Sequence, residues 1–269
     1  MNFIDTHAHL NFSNFAQNYK EVIERARKSG VRAIINVGTS EKSSKKAIEI
    51  AHEYDKGVYA SVSLHPIYAH KKFDYQAMKK LAEDKKVIAI GETGLDYHYD
   101  SENRERKKEV FRQILKLGQE LEKPFIFHCR EARDDFISEI KKYAPFFKSG
   151  RLRGVMHCFP GDWNFAKEVL DLGLAISYTG LITFTKREDQ LEAVRKIPLE
   201  RLMIETDCPF MAPEPYRGKT NEPRYVIEIA KKIAELKNIS LEKVADQTTK
   251  NAMEFFKIQL FDSDSAVAQ

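Results

Sequence analysis

The sequence predicts an α/β fold: a (β/α)8 TIM-type barrel, somewhat distorted and carrying extra C-terminal helices. Three observations predict it. Short β-branched or apolar runs alternate with charged stretches of helical period, eight such runs can be counted, and the chain has 269 residues. Strict alternation calls for a parallel sheet, because each parallel crossover needs a helix. Eight units in this length suit closure into a barrel. An open doubly wound sheet would show the same alternation, but no G-x-G-x-x-G follows the first run.

The runs are Asn2–Asp5, Val31–Val37, Val58–Leu64, Val87–Gly91, Pro124–Phe127, Gly154–Met156, Leu174–Ser177 and Arg201–Glu205. Amphipathic segments lie between them: Tyr19–Ser29, Glu41–Tyr54, Tyr75–Glu83, Glu102–Glu122, Asp134–Tyr143, Asn164–Leu172 and Asp189–Lys196. Two further helical patterns, Arg224–Lys237 and Leu241–Phe256, follow the eighth run. No repeat, linker or shift in composition divides the chain, so residues 1–258 are expected to form one domain. Asp262–Gln269 is small and polar, and a frayed tail is expected over residues 259–269.

A hydrophobic content of 42% with 31% charged residues describes a globular protein with material for a sizeable core. The formal net charge of +4 permits an anionic substrate without amounting to a polybasic coat. No apolar run approaches the roughly 18 residues of a membrane span. Met1–Asp5 lacks the basic and apolar regions of a signal peptide. Three cysteines do not make a disulfide framework. A reducing cytoplasm is the expected compartment, with no membrane contact.

In barrel enzymes the chemistry sits at the C-terminal ends of the strands. Run one ends in His7 and His9, and run four in Gly91-Glu92-Thr93-Gly94-Leu95-Asp96. Run five ends in His128-Cys129-Arg130, run six in His157-Cys158-Phe159 and run eight in Glu205-Thr206-Asp207-Cys208-Pro209. His65 follows run three, and Tyr178-Thr179-Gly180 follows run seven. A single histidine in such a place is commonly an ordinary core or surface residue. Five of the eight histidines falling at strand ends is another matter, and it calls for a metal.

Cys129, Cys158 and Cys208 each follow a candidate ligand directly. If the pleat persists they face the helix layer, and with no C-x-x-C present a zinc–thiolate site is disfavoured. The same parity puts Glu205 inward with Asp207. His7, His9, Glu92, His128, His157 and Asp207 are too many for one tetrahedral ion and suit two. One ion would take His7, His9 and Asp207, the other His128 and His157, with Glu92 bridging. This nitrogen-rich set favours Zn, Mn, Fe or Co over Mg.

Two such cations about 4 Å apart clamp the attacking and leaving oxygens of a phosphoryl displacement. Asp207 or Glu205 would orient the water and accept its proton. Arg130 matches phosphate oxygens bidentately, or else pairs with Glu131 or Asp134. His65 would donate to a phosphate, or simply precede the turn at Pro66. Asp96 is a candidate acceptor for a ligand imidazole, and Tyr97 and Tyr99 are candidates for stacking on a base.

These motifs, in this order, resemble the TatD-type metal-dependent deoxyribonucleases, a branch of the amidohydrolase-like barrels. Ile4-Asp5-Thr6-His7-Ala8-His9-Leu10, the strand-four, -five, -six and -eight motifs, Ser63-Leu64-His65-Pro66 and Gly180-Leu181-Ile182-Thr183-Phe184 all carry the likeness, which runs from Asn2 to Lys257. The resemblance implies a distorted barrel, two divalent cations and hydrolysis of DNA phosphodiester bonds, typically 3′→5′ and on single strands. It implies the same six metal ligands, with Glu92 where related barrels carry a carboxylated lysine. The basic stretch Phe147–Arg153 is a departure, longer than the family's usual loop.

Two other readings stand beside this one. The same site would hydrolyse an amide, lactone or aminoacyl ester, since no residue fixes phosphorus over carbon. A non-enzymatic nucleic-acid-binding protein with structural metals is the third. Such closed sites usually fill four positions with protein ligands, often cysteines.

Overall fold

The computed structural model describes residues 1–98 and 102–262. Its strands are β1 (Phe3–Ala8), β2 (Val31–Val37), β3 (Val58–Val62), β4 (Val87–Asp96), β5 (Phe125–Arg130), β6 (Gly154–Met156), β7 (Ala175–Tyr178) and β8 (Leu202–Ile204). Helices α1 (Tyr19–Lys28), α2 (Glu41–His52), α3 (Tyr75–Ala82) and α4 (Arg104–Glu120) connect the first five strands. Then come α5 (Arg133–Lys141), α6 (Ala144–Lys148), α7 (Trp163–Asp171), α8 (Leu181–Phe184) and α9 (Glu188–Lys196). After β8 the chain forms α10 (Val226–Lys237) and α11 (Leu241–Phe256).

The strands form one eight-stranded parallel sheet in sequential order from β1 to β8. The sheet curls into the nearly closed TIM-type barrel that the alternation predicts. Each crossover returns over the sheet through a helix whose apolar stripe faces inward. Short polar side chains start several of these helices by accepting a backbone N–H left over in the first turn. Asp74 caps α3 at Ala77 (3.0 Å), Asp162 caps α7 at Phe165 (2.8 Å) and Ser240 caps α11 at Lys243 (3.1 Å).

Closure between first and last strands is thin. Ala8 and Cys208 form an isolated parallel bridge, with His9 N–H donating to the Cys208 carbonyl (2.8 Å) and Asp207 N–H to the His7 carbonyl (2.8 Å). Below it, Asp5 accepts from Thr206 N–H (2.8 Å) and from the Thr206 hydroxyl (2.5 Å).

Two apolar clusters divide the core. The larger fills the space between strands and helices, and the smaller draws Ile4, Ala33, Ile35, Ala89, Ile126, Val155 and Met203 from alternating strand positions. Ala252 and Phe256 of α11, with Ile258 after it, join that smaller cluster and close the end of the barrel remote from the metal-ligand candidates. The expected fraying at residues 259–262 is corrected here. Phe261 is buried, its N–H donates to the Arg32 carbonyl (2.7 Å), and Tyr59 hydrogen-bonds the Gln259 carbonyl (2.7 Å). Residues 263–269 lie outside the described residues. The basic stretch Phe147–Arg153 begins inside the short α6, whose Phe147 is buried.

Candidate metal centre

Two strands run further than their apolar lettering. β4 continues to Asp96 and β5 to Arg130, paired Thr93 to Phe127 and Asp96 to Arg130, after an irregularity between Ile90 and Thr93. That irregularity spans Glu92. Gly94 allows the two strands to approach, since a Cβ there would sit 1.9 Å from the His128 carbonyl oxygen and its φ is +144°. Glu92 and His128 are thereby held face to face.

The Glu92 carboxylate is the hub. Its Oε1 lies 2.8 Å from His128 Nδ1, 2.8 Å from His157 Nε2 and 3.1 Å from His65 Nε2. Its Oε2 lies 3.4 Å from His7 Nε2 and 3.8 Å from His9 Nε2. Asp207 closes the other side, with Oδ1 at 3.3 Å from His9 Nε2 and 3.6 Å from His7 Nε2. His7, His9 and Asp207 offer ligand atoms within 4.8 Å of one another, as do His65, Glu92 and His128, and His7, His157 and Glu205. No cysteine enters these groups among the described residues.

Most of the imidazoles are oriented from behind. The second nitrogen of His9 meets the Val37 carbonyl (2.9 Å), that of His128 meets Asp96 Oδ2 (2.9 Å) and that of His157 meets Glu205 Oε1 (3.1 Å). Such partners fix the tautomer and aim the free nitrogen at a metal. His65 differs. Its Nδ1 accepts from Ile67 N–H (3.2 Å), which leaves the proton on Nε2, facing Glu92.

The group opens onto a cavity of about 630 Å³, whose wall includes His9, Glu92, His128, Arg130, Asp207 and Phe210. A neighbouring cavity of about 830 Å³ runs along the start of α2 and shares Phe12, Thr39 and Tyr68 with it, but holds none of the candidate ligands.

The sequence profile of the family described as TatD related DNase matches residues 4–257. The chain belongs to that family. It is 41% identical over 256 residues to the uncharacterized metal-dependent hydrolase YabD of Bacillus subtilis, covering 94% of this chain and 98% of that one. It is 33% identical to the 3′-5′ ssDNA/RNA exonuclease TatD of Erwinia tasmaniensis, with 94% and 99% covered. Among solved structures, the TatD homologue YJJV of Escherichia coli superposes with a TM-score of 0.88 at 28% identity, covering 96% of this chain and 98% of that one. This chain is therefore a metal-dependent hydrolase of the TatD family, with its candidate ligands gathered around one carboxylate.

The charge balance of this TatD-family centre follows from that crowding. Burial opposes ionisation of Glu92, but His157, His65 and His128 around it hold its carboxyl well below the usual range. Asp207 is likewise held low against its burial, first by its hydrogen bond with His9. Burial pushes His7 down, and the neighbouring His157 adds to that. Despite burial, Glu92 and Glu205 draw His157 well up.

Several expectations change. Glu205 does face inward, yet it lies beneath His157 and not at the cavity wall. Its oxygens accept from Cys158 N–H (2.6 Å) and the Ser177 hydroxyl (2.7 Å) as well as facing His157, so it backs His157 from below and does not border the cavity where a water would enter. Cys129 and Cys208 join the apolar core as parity predicts, although Cys129 also borders the cavity. Cys158 does not, because its φ of +44° ends the pleat and leaves it at the cavity wall, its sulfur 3.4 Å from Thr179 Oγ1. Asp207 is also left-handed, at +54°. Tyr97 is buried and donates to Asp135 Oδ2 (2.6 Å), so it presents no face to a base. Tyr99 lies outside the described residues.

Sequence reading missed the aromatic rings beside the centre. Phe12 stacks on His9 with centroids 4.4 Å apart, and Phe210 meets Phe12 edge-on at 6.1 Å. Their signal was proximity in the chain, three residues after His9 and three after Asp207.

Proposed function

We propose that this protein is a divalent-metal-dependent exodeoxyribonuclease that removes nucleotides from 3′ ends of DNA, on single strands. The observation that supports it most is the division of Glu92. One oxygen faces His7 and His9, the other faces His128 and His157, so a single carboxylate serves two ligand sets. The donor set fits metal ions: imidazoles aimed from behind and ionised carboxylates converging on one another. His7, His9 and Asp207 would hold one cation, His128 and His157 the other, and Glu92 both. Zn, Mn, Fe or Co suits this set, and Mg less. When bound, two divalent cations supply Lewis acidity to phosphoryl oxygens and bring a water's proton within reach of neutral pH.

The chain's own groups do the rest. Asp207 orients the attacking water and accepts its proton, since its carboxylate stays ionised at the cavity wall. His65, whose Nε2–H faces Glu92 Oε1 at 3.1 Å, would donate to a phosphate oxygen in place of Glu92, and Arg130 at the same wall matches phosphate in a fork. The Erwinia relative's name, a 3′-5′ ssDNA/RNA exonuclease, is consistent with this substrate class. Among the described residues no helix is long and apolar enough to cross a membrane, and work in the cytoplasm is part of this proposal.

The test is release of nucleotides from end-labelled single-stranded DNA by protein stripped of metal and reloaded with Mn, Zn or Mg. Metal-dependent release that Glu92→Ala abolishes is expected. Turnover of aminoacyl esters or lactones far above any phosphodiester would instead establish the carbon-ester reading.

A further inference from the structure

Phe210 stands out at the rim of the metal cavity. Met1 and Phe210 are the large hydrophobic residues exposed among the described residues, at 65% and 50%. Met1 begins the chain, but Phe210 sits three residues from Asp207 on a segment fixed at every turn. Phe210 N–H donates to the Asp207 carbonyl (3.0 Å), and the fully buried Asn221 side chain donates both to the Phe210 carbonyl (2.6 Å) and to the Thr206 carbonyl (2.8 Å). Asn221 N–H donates in turn to the Pro209 carbonyl (3.1 Å). A clamped backbone that still leaves an aromatic ring in water is holding that ring for something.

The rings between it and the centre are continuous. His157 stacks on His7 at 4.1 Å, His7 meets His9 edge-on at 4.9 Å and His9 stacks on the half-buried Phe12 at 4.4 Å. Phe210 then crosses Phe12 at 71° and 6.1 Å, and faces His9 at 6.3 Å. Phe12 and Phe210 thus form an angled apolar corner at the mouth, beside a centre proposed for phosphate chemistry. A nucleobase is the flat, apolar-faced body carried next to a phosphodiester. It can stack on an aromatic ring whatever its sequence, provided it is unpaired.

We propose that Phe210, backed by Phe12, is the stacking platform for an unpaired base next to the phosphodiester being cut, and so selects single-stranded ends. The proposal rests on the nuclease reading above. Phe210 lies beside the candidate ligands His9 and Asp207 and is not one of them, so its contribution is expected on KM.

The test compares the parent with Phe210→Ala, Phe210→Leu and Phe210→Trp on oligonucleotides that are intact or abasic at the last or next-to-last position. Removing the ring is expected to raise KM about 5- to 100-fold on intact substrate with kcat held within a few fold. One of the two abasic substrates should carry a similar penalty in the parent, none in Phe210→Ala or Phe210→Leu, and a restored one in Phe210→Trp. A second readout needs no turnover: quenching of a terminal 2-aminopurine on binding to metal-stripped protein should weaken in Phe210→Ala. Bound-metal content should match the parent in every variant. Unchanged KM in Phe210→Ala, or an abasic penalty that survives the loss of the ring, overturns the platform and leaves the nuclease reading standing. A parent that cuts no phosphodiester under any metal overturns both.

Discussion

The two ends of the barrel are built on opposite principles. At the closed end, Ile4, Ile35, Ile126, Val155 and Met203 pack with Phe256 of α11, and burial of apolar surface is the whole story. At the mouth, His7, His9, Glu92, His157 and Asp207 are buried too, and there like charges crowd beside opposite ones. Between the ends lies a layer of Thr6, Ser177 and Glu205, joined by hydrogen bonds, which hands polar order upward from the apolar plug. The contrast teaches that stability and chemistry are separable here: one end is optimised for packing, the other holds groups that only a bound cation would reconcile.

Substitutions at each end should therefore fail differently. The largest effect is expected at the mouth. Asp207→Asn should lower kcat about 10²- to 10⁴-fold, the range of a lost general base, while the urea midpoint shifts little. A loss of less than tenfold would move the proton acceptor elsewhere.

At the plug, Phe256→Ala should reverse the pattern, costing about 3 to 5 kcal/mol of unfolding free energy in urea with kcat per folded molecule retained. Equal damage to both quantities would show that the ends are coupled. The intermediate layer should give an intermediate result. Glu205→Gln keeps the shape but weakens the partner of His157, and a 10- to 100-fold loss of metal affinity is expected by titration.

The smallest effect is expected in the helix layer, where a buried carboxylate pairs α5 with α4. Glu139 on α5 takes a bidentate contact from Arg112 on α4 (3.0 and 2.5 Å) and one from Lys142 (2.7 Å). Arg112 first, then Lys142, hold its carboxyl down to about 2 from 4.5. The folded value is depressed, so this pair stabilises fully above about pH 4.5 and its contribution is lost as pH falls through about 2. Glu139→Gln should cost about 1 to 2 kcal/mol at pH 7, and the difference from the parent should shrink across that acid window.

Element order was legible in the sequence because helical and strand periods are local, and α11 falls at the residues the pattern marks. The candidate ligands were legible because a barrel brings its strand ends to one mouth. What resisted reading depends on depth and backbone twist. β4 and β5 outlast their apolar runs because polar site residues continue the ladder. Glu205 has the right parity but sits one layer too low. Cys158 leaves the expected face because a left-handed residue breaks the alternation on which the inference rests. Phe210 carries no motif of its own, and only its exposure in three dimensions marks it.

The seam between β1 and β8 has a consequence for how the molecule is made. The backbone contacts that hoop the sheet are given by His7, His9, Asp207 and Cys208, three of which are candidate ligands. The first strand of the chain and the last are thus fastened at the same place where the reagents gather. A nascent chain lacking β8 has no Asp207 to complete the first ligand set, so it can neither close its hoop nor arm itself. The first candidate ligand set is thus assembled only where the hoop is closed.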